Sequence, residues 1–121
     1  MKQLSSLSIT IFSNNFSLTE KISRAFDDFG TLIHLRPQEA LTNVPNQIEG
    51  QIMILELTQN FKEILPIITQ IKGKNPRLII IGVIDNQLFE PGVETLAAGV
   101  DYLLTQPIKY HLLPYMVTKI T

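Results

Sequence analysis

The sequence predicts an α/β fold on a doubly wound, five-stranded parallel sheet, a (βα)5 three-layer sandwich. Three observations carry that expectation. Short apolar bursts alternate with amphipathic segments along the chain, the pattern of strands joined through crossover helices. Two bursts, Ile52-Met53-Ile54-Leu55 and Leu78-Ile79-Ile80-Ile81, are continuously apolar, as strands covered on both faces must be. The chain has 121 residues, which suits one core, so 1–121 is read as a single domain.

Each element has its own signal. Leu7 to Phe12 alternates at period two and leaves through the polar triplet Ser13-Asn14-Asn15, giving the first strand. Ser17 and Glu20 form a capping box; Leu18, Ile22, Ala25, Phe26 and Phe29 then recur at helical spacing up to Gly30, predicting a helix over 17–29. Thr31 to Arg36 is a short second strand closed by Pro37, and 37–46 holds at most two turns of weak helix before Pro45-Asn46. The third strand, Ile52 to Leu55, ends at Glu56-Leu57-Thr58. Phe61, Ile64, Leu65, Ile68 and Ile71 predict a helix over 61–72, with Pro66 expected near its first turn because proline costs a helix interior a hydrogen bond. Gly73 and Pro76 end it, and the fourth strand, 78–81, leaves through Gly82-Val83-Ile84-Asp85. Val93, Leu96 and Ala97 mark a short fourth helix that stops at Gly99. Val100 to Thr105 is a fifth strand running into Gln106-Pro107, and Lys109 to Ile120 form the last helix, where Pro114 is awkward.

Composition narrows the function. Lys+Arg 10 against Asp+Glu 11 lacks the basic excess that phosphate neutralisation requires, so neither nucleic acid nor an anionic membrane is an expected partner. With no cysteine there is no disulfide, thiolate metal site or cysteine nucleophile. The start, Met1 to Ser8, has no continuous apolar segment of signal-peptide type, and a cytoplasmic protein is expected. His34 and His111 have no carboxylate at metal-ligand or triad spacing, and no Gly-rich phosphate loop or nucleophile elbow occurs. No catalytic residue, metal or cofactor is predicted, and the chain is not read as an enzyme.

Open α/β sheets place ligands beyond the carboxyl ends of their strands, which directs attention to Ser13-Asn14-Asn15, Glu56, Gly82 to Asp85 and Gln106-Pro107. The order and spacing of these segments resemble the response-regulator receiver (CheY-like) family, a flavodoxin-like fold. The most specific matches are Gly99-Val100-Asp101-Tyr102-Leu103-Leu104-Thr105-Gln106-Pro107, similar to the family's Gly-Ala-x-x-Tyr-Leu-x-Lys-Pro, and Ile52-Met53-Ile54-Leu55-Glu56-Leu57, similar to its strand-three acceptor motif. The resemblance covers essentially the whole chain. It implies two-component or phosphorelay signalling and a cis bond before Pro107.

Every chemical residue that the resemblance implies is nevertheless changed. The acidic pair that holds Mg²⁺ aligns with neutral Ser13 and Asn14, leaving one carboxylate at most for a hard cation. The acceptor Asp aligns with Glu56, whose longer side chain is misplaced for in-line phosphoryl transfer. The hydroxyl aligns with Gly82 and the lysine with Gln106. Ser13, Asn14, Glu56, Gly82, Gln106 and Pro107 therefore outline a degenerate acceptor pocket, and the chain reads as a pseudo-receiver that acts by binding protein. The family's reporting aromatic aligns with Leu103, with Tyr102 one place earlier and on the opposite side of the strand.

Glu56 has three readings: a solvated carboxylate, a group holding the site through Gln106 or Asn14, or a fixed mimic of a phosphorylated acceptor. A Glu56/Asp85 cation site and a flavin or nucleotide role for Ser13-Asn14-Asn15-Phe16-Ser17 have weaker support. Two rival functions remain: phosphorylation at another residue such as Ser13, Thr58 or Asp85, and a small ligand in the space left at Gly82. In the family, the face of the fourth helix, fifth strand and last helix carries partners and dimers. Here it would present Leu88, Phe89, Tyr102, Leu103, Leu104, Lys109, Tyr110 and Tyr115 to a signalling protein or a second copy.

Overall fold

The computed structural model describes residues 4–43, 48, 50–58, 61–84 and 91–121. Asp85, Leu88 and Phe89 lie outside them. Five strands, β1 (Ser8–Phe12), β2 (Leu32–Arg36), β3 (Ile52–Glu56), β4 (Ile79–Ile84) and β5 (Tyr102–Thr105), form one sheet in the order β2-β1-β3-β4-β5. Every pairing is parallel, which confirms the predicted sheet. The helices are α1 (Phe16–Ala25), α2 (Phe61–Lys74), α3 (Pro91–Ala98) and α4 (Leu113–Ile120).

Pleating divides the strand side chains between two cores. On one face Phe12, Met53, Leu55 and Ile80 pack with Phe61, Ile64, Ile68 and Ile71 of α2. On the other, Ile9, Ile11, Ile52, Ile54, Ile81 and Val83 meet Leu18 and Ile22 of α1 and Leu113 and Val117 of α4. The continuous apolar runs of β3 and β4 thus feed both layers. Among the described residues no helix is long and apolar enough to cross a membrane.

Several local expectations are corrected. α1 is capped by Asn15 rather than by the Ser17–Glu20 box: Asn15 is extended, and its side chain accepts from the Leu18 N–H at 3.1 Å. The helix ends at Ala25, and a separate 3-10 turn, Asp27–Phe29, carries the chain to Gly30 in the left-handed region at φ 70°. Between β2 and β3 the weak helix is a 3-10 segment, Gln38–Asn43, whose Leu41 is buried. Pro66 sits inside α2 and not in its first turn. Pro66 and Lys62 are both exposed residues, and proline gives the Lys62 carbonyl no helical donor. The last helix is divided into a 3-10 turn, Tyr110–Leu112, and α4, which has Pro114 in its first turn, where a missing N–H costs nothing. The Gln106–Pro107 bond is cis.

One device was not read from the sequence. The Asp101 carboxylate accepts from the Ile80 N–H at 2.8 Å and from Lys72 Nζ at 2.7 Å, while the Asp101 N–H donates to the Ile80 carbonyl at 2.8 Å. It ties the entry of β5 to β4 and α2.

Candidate functional site

The carboxyl edge of the sheet holds the candidate site. The chain runs from β1 out to β2 and then returns to the other side of β1 for β3, so the strand order reverses between β1 and β3. Phe12 is registered with Leu55. One residue further on, Ser13 therefore stands opposite Glu56. Its hydroxyl donates to Glu56 Oε1 at 2.9 Å and accepts from the Asn15 N–H at 2.9 Å, and Asn15 Nδ2 reaches Glu56 Oε2 at 3.5 Å. Ser13 is only 7% exposed. Both Glu56 oxygens are thus engaged by neutral donors.

A second tier joins the 3-10 segment to this centre. Asn14 Nδ2 donates to Glu39 Oε1 at 2.6 Å, Asn14 Oδ1 accepts from the Gln38 N–H at 3.0 Å, and Gln38 Nε2 donates to the Glu56 backbone carbonyl at 3.2 Å. Ser13 meets Glu56 directly, and Glu56 is held by Ser13 and Asn15 rather than by Asn14 or Gln106. Asn14 turns away to Glu39. Gln106 marks the end of β5 through its N–H to the Ile84 carbonyl at 2.9 Å, with Pro107 beyond it. Among the described residues no three His, Cys, Asp or Glu side chains converge as a metal-binding group.

Gly82 is not at a strand exit. It lies within β4, registered with Leu55 on one side and Leu103 on the other. A Cβ there would come within 3.0 Å of both Leu57 Cδ1 and Leu103 Cδ2. The two leucines fill the space that a missing hydroxyl was expected to leave open. Leu103, counted with the interaction face, belongs instead to the α2-side core, whereas Leu104 packs on the α1 and α4 side. Strand alternation places Tyr102 with Leu104, opposite Leu103, as expected.

Tyr110 links this edge to the neighbouring helices. Lys21 of α1 lies over its ring, 5.7 Å from Nζ to the centroid. Burial raises the Tyr110 phenol above its ordinary value, and the charge of Glu56 raises it further. Tyr110 is half-buried, while Tyr102 and Tyr115 are 41% and 65% exposed. Leu104, Thr105, Pro107, Ile108, Lys109, Leu112, Leu113 and Met116 line a groove of about 200 Å³ between the end of β5 and α4. A larger groove of about 520 Å³ lies at the opposite edge of the sheet, around Gln51, Arg77 and Ile120, remote from Glu56.

Sequence reasoning missed Asn15 as a partner of Glu56, and also Gln38 and Glu39. Asn15 was legible as an N-cap, being a short polar residue just before a helical repeat. Gln38 and Glu39 follow Pro37 with no periodicity to place them.

No family model and no curated protein matches the sequence. Solved structures share the architecture. The pilus assembly protein CpaE from Caulobacter crescentus is 17% identical over 98% of this chain and 96% of its own, with a TM-score of 0.77. A CheY-like protein, TadZ, from Pseudomonas aeruginosa is 10% identical over 94% and 98% of the two chains, with a TM-score of 0.78. An orphan response regulator of H. pylori is 17% identical over 95% and 96%, with a TM-score of 0.73. The fold is that of CheY-like receiver domains.

Proposed function

From the receiver fold, we propose that this chain is a pseudo-receiver: a non-catalytic signalling module that is not phosphorylated and acts by docking to another protein. The observation that carries the proposal is the closed set of bonds around Glu56. In a working receiver the corresponding carboxylate would stand beside an acidic pair that holds a cation. Here Ser13 and Asn15 occupy both carboxylate oxygens, and neither can supply anionic ligands to Mg²⁺. Leu57 and Leu103 close the space at Gly82, which speaks against a small ligand there. Ser13 as an alternative acceptor is buried with its hydroxyl committed.

What remains for function is surface. Tyr102, Leu112 and Tyr115 are exposed around β5 and α4, with the Leu104–Met116 groove beside them, an arrangement suited to a protein interface. Several neighbours of the same fold are named as pilus assembly proteins, so assembly machinery is one setting for such a module.

A thermal melt with and without ~10 mM Mg²⁺ and beryllofluoride tests this function. A receiver binding Mg²⁺ near 1 mM would gain about 1.4 kcal/mol, or several degrees in a domain of this size. The expected result is no shift, together with no mass increase after treatment with a small-molecule phosphodonor. A shift or a covalent adduct would overturn the proposal.

A further inference from the structure

β2 is an outer strand of the sheet, and its free side lacks the protection that sheet edges ordinarily carry. Its five residues register with Ser8–Phe12 without a bulge, and among the described residues the link to β3 holds only the 3-10 segment Gln38–Asn43, with no full helix beside the strand. Leu32 and Leu35 are 58% and 55% exposed, on opposite faces of β2, and Phe29 just before it is also exposed. Backbone alternation sets which groups face outward. The Leu32 N–H donates to the Leu7 carbonyl and the Arg36 carbonyl accepts from the Ser13 N–H, so Leu32, His34 and Arg36 turn their backbone groups to β1. Ile33 and Leu35 turn theirs away, and among the described residues no strand pairs with that side. Charge is ordered along the same edge. Asp27 and Asp28, both exposed, lie in the turn that enters β2, while Arg36 closes the strand; Glu39 beyond it is turned to Asn14.

We infer that two copies of this chain join through their β2 strands, antiparallel about a two-fold axis at His34, so that one sheet runs through both. Ile33 of each copy exchanges both backbone hydrogen bonds with the partner's Leu35, which satisfies every outward group of the two residues. On the α1 side the Ile33 and Leu35 side chains cover one another, and on the other face Leu32 lies along the aliphatic stem of the partner's Arg36. Reversal of direction also brings each Arg36 to the end where the partner's Asp27 and Asp28 enter, an attraction made twice by symmetry. This self-match in hydrogen bonding, apolar contact and charge selects a second copy over a foreign strand. Pairing β2 with a partner's β5 would repeat without closing. The β5–α4 surface stays free at the opposite edge of the sheet, and the inference stands whether or not the docking function proposed above holds.

The test is sedimentation of the full chain from about 1 to about 300 μM, with cysteine cross-linking to read the register. A monomer–dimer equilibrium with a Kd of about 10–100 μM is expected. The chain has no cysteine, so each introduced one reports alone. His34 faces the partner's His34 as a non-hydrogen-bonded pair, where Cα atoms stand about 4.5 Å apart and a disulfide fits. Under a mild oxidant His34→Cys should therefore link to itself. Leu32→Cys and Arg36→Cys should link only when the two variants are mixed, because each stands four residues, roughly 13 Å, from its own counterpart. Leu35→Pro removes an outward N–H and no bond to β1, and should weaken the dimer at least about tenfold; Leu35→Lys should do the same with the melt unchanged. Arg36→Glu should weaken it at least about fivefold, and adding Asp27→Lys with Asp28→Lys should restore it. A monomer at every concentration, open-ended assemblies, a dimer in which neither His34→Cys nor the mixed pair cross-links, or a charge reversal without rescue would overturn the inference.

Discussion

Ser13 and Glu56 are 43 residues apart in the chain, yet the Ser13 hydroxyl donates to Glu56 Oε1 at 2.9 Å because β1 and β3 are neighbours in register. This bond joins the two strand ends between which the sheet changes direction. It converts an edge normally open to ligands into a satisfied polar cluster, and its energetic share is measurable.

Ser13→Ala removes a donor to Glu56 and an acceptor for the Asn15 N–H. A hydrogen bond to a charged group contributes about 1.5–3 kcal/mol, so urea unfolding should show a loss of about 1–3 kcal/mol. Glu56→Gln keeps an acceptor for Ser13 and should cost less. If the double variant loses only the sum of the single losses, the two side chains are not coupled.

Gly82→Ser restores a hydroxyl where Leu57 and Leu103 already close the space. Overpacking of this kind costs about 1–3 kcal/mol, and truncating Leu103 to alanine in the same chain should recover part of it. Urea midpoints of the single and double variants provide the check. A neutral Gly82→Ser would show that the space is open.

Pro66→Ala gives the Lys62 carbonyl of α2 back its helical donor. Proline in a helix interior is disfavoured by about 3 kcal/mol relative to alanine, partly offset by its stiffening of the unfolded chain, so a net gain of about 1–2 kcal/mol is expected. A lower urea midpoint would show that α2 needs its proline.

Tyr110 makes stability sensitive to alkali. Its folded-state phenol is raised, first by burial and then by Glu56, so at high pH the unfolded chain releases the proton before the folded one does. Stability is therefore retained below the ordinary tyrosine value of 10.0 and lost as pH rises through the raised folded value. The alkaline fall in melting temperature should flatten in Tyr110→Phe. In spectrophotometric titration Tyr110 should ionise late, and Glu56→Gln should bring it earlier.

The sequence by itself determined the sheet. Burial on both faces requires unbroken apolar runs, and these mark β3 and β4 directly, while period-two alternation in Leu7–Phe12 and helical spacing in 61–71 place their elements to within a few residues. It also placed Ser13 and Glu56 at the carboxyl edge, because strand exits in a parallel sheet share one end. The tertiary structure alone decided who bonds to whom. Glu56 meets Ser13 and Asn15 instead of Asn14 or Gln106 because strand order and register bring the β1 exit opposite it, and neither quantity is encoded in local periodicity. Gly82 reads as an exit by composition but lies within β4, where Leu103, pleated toward α2, covers it. Asp101 binds across β4 and α2 for the same reason: its partners lie 21 and 29 residues away, a separation that no local pattern records.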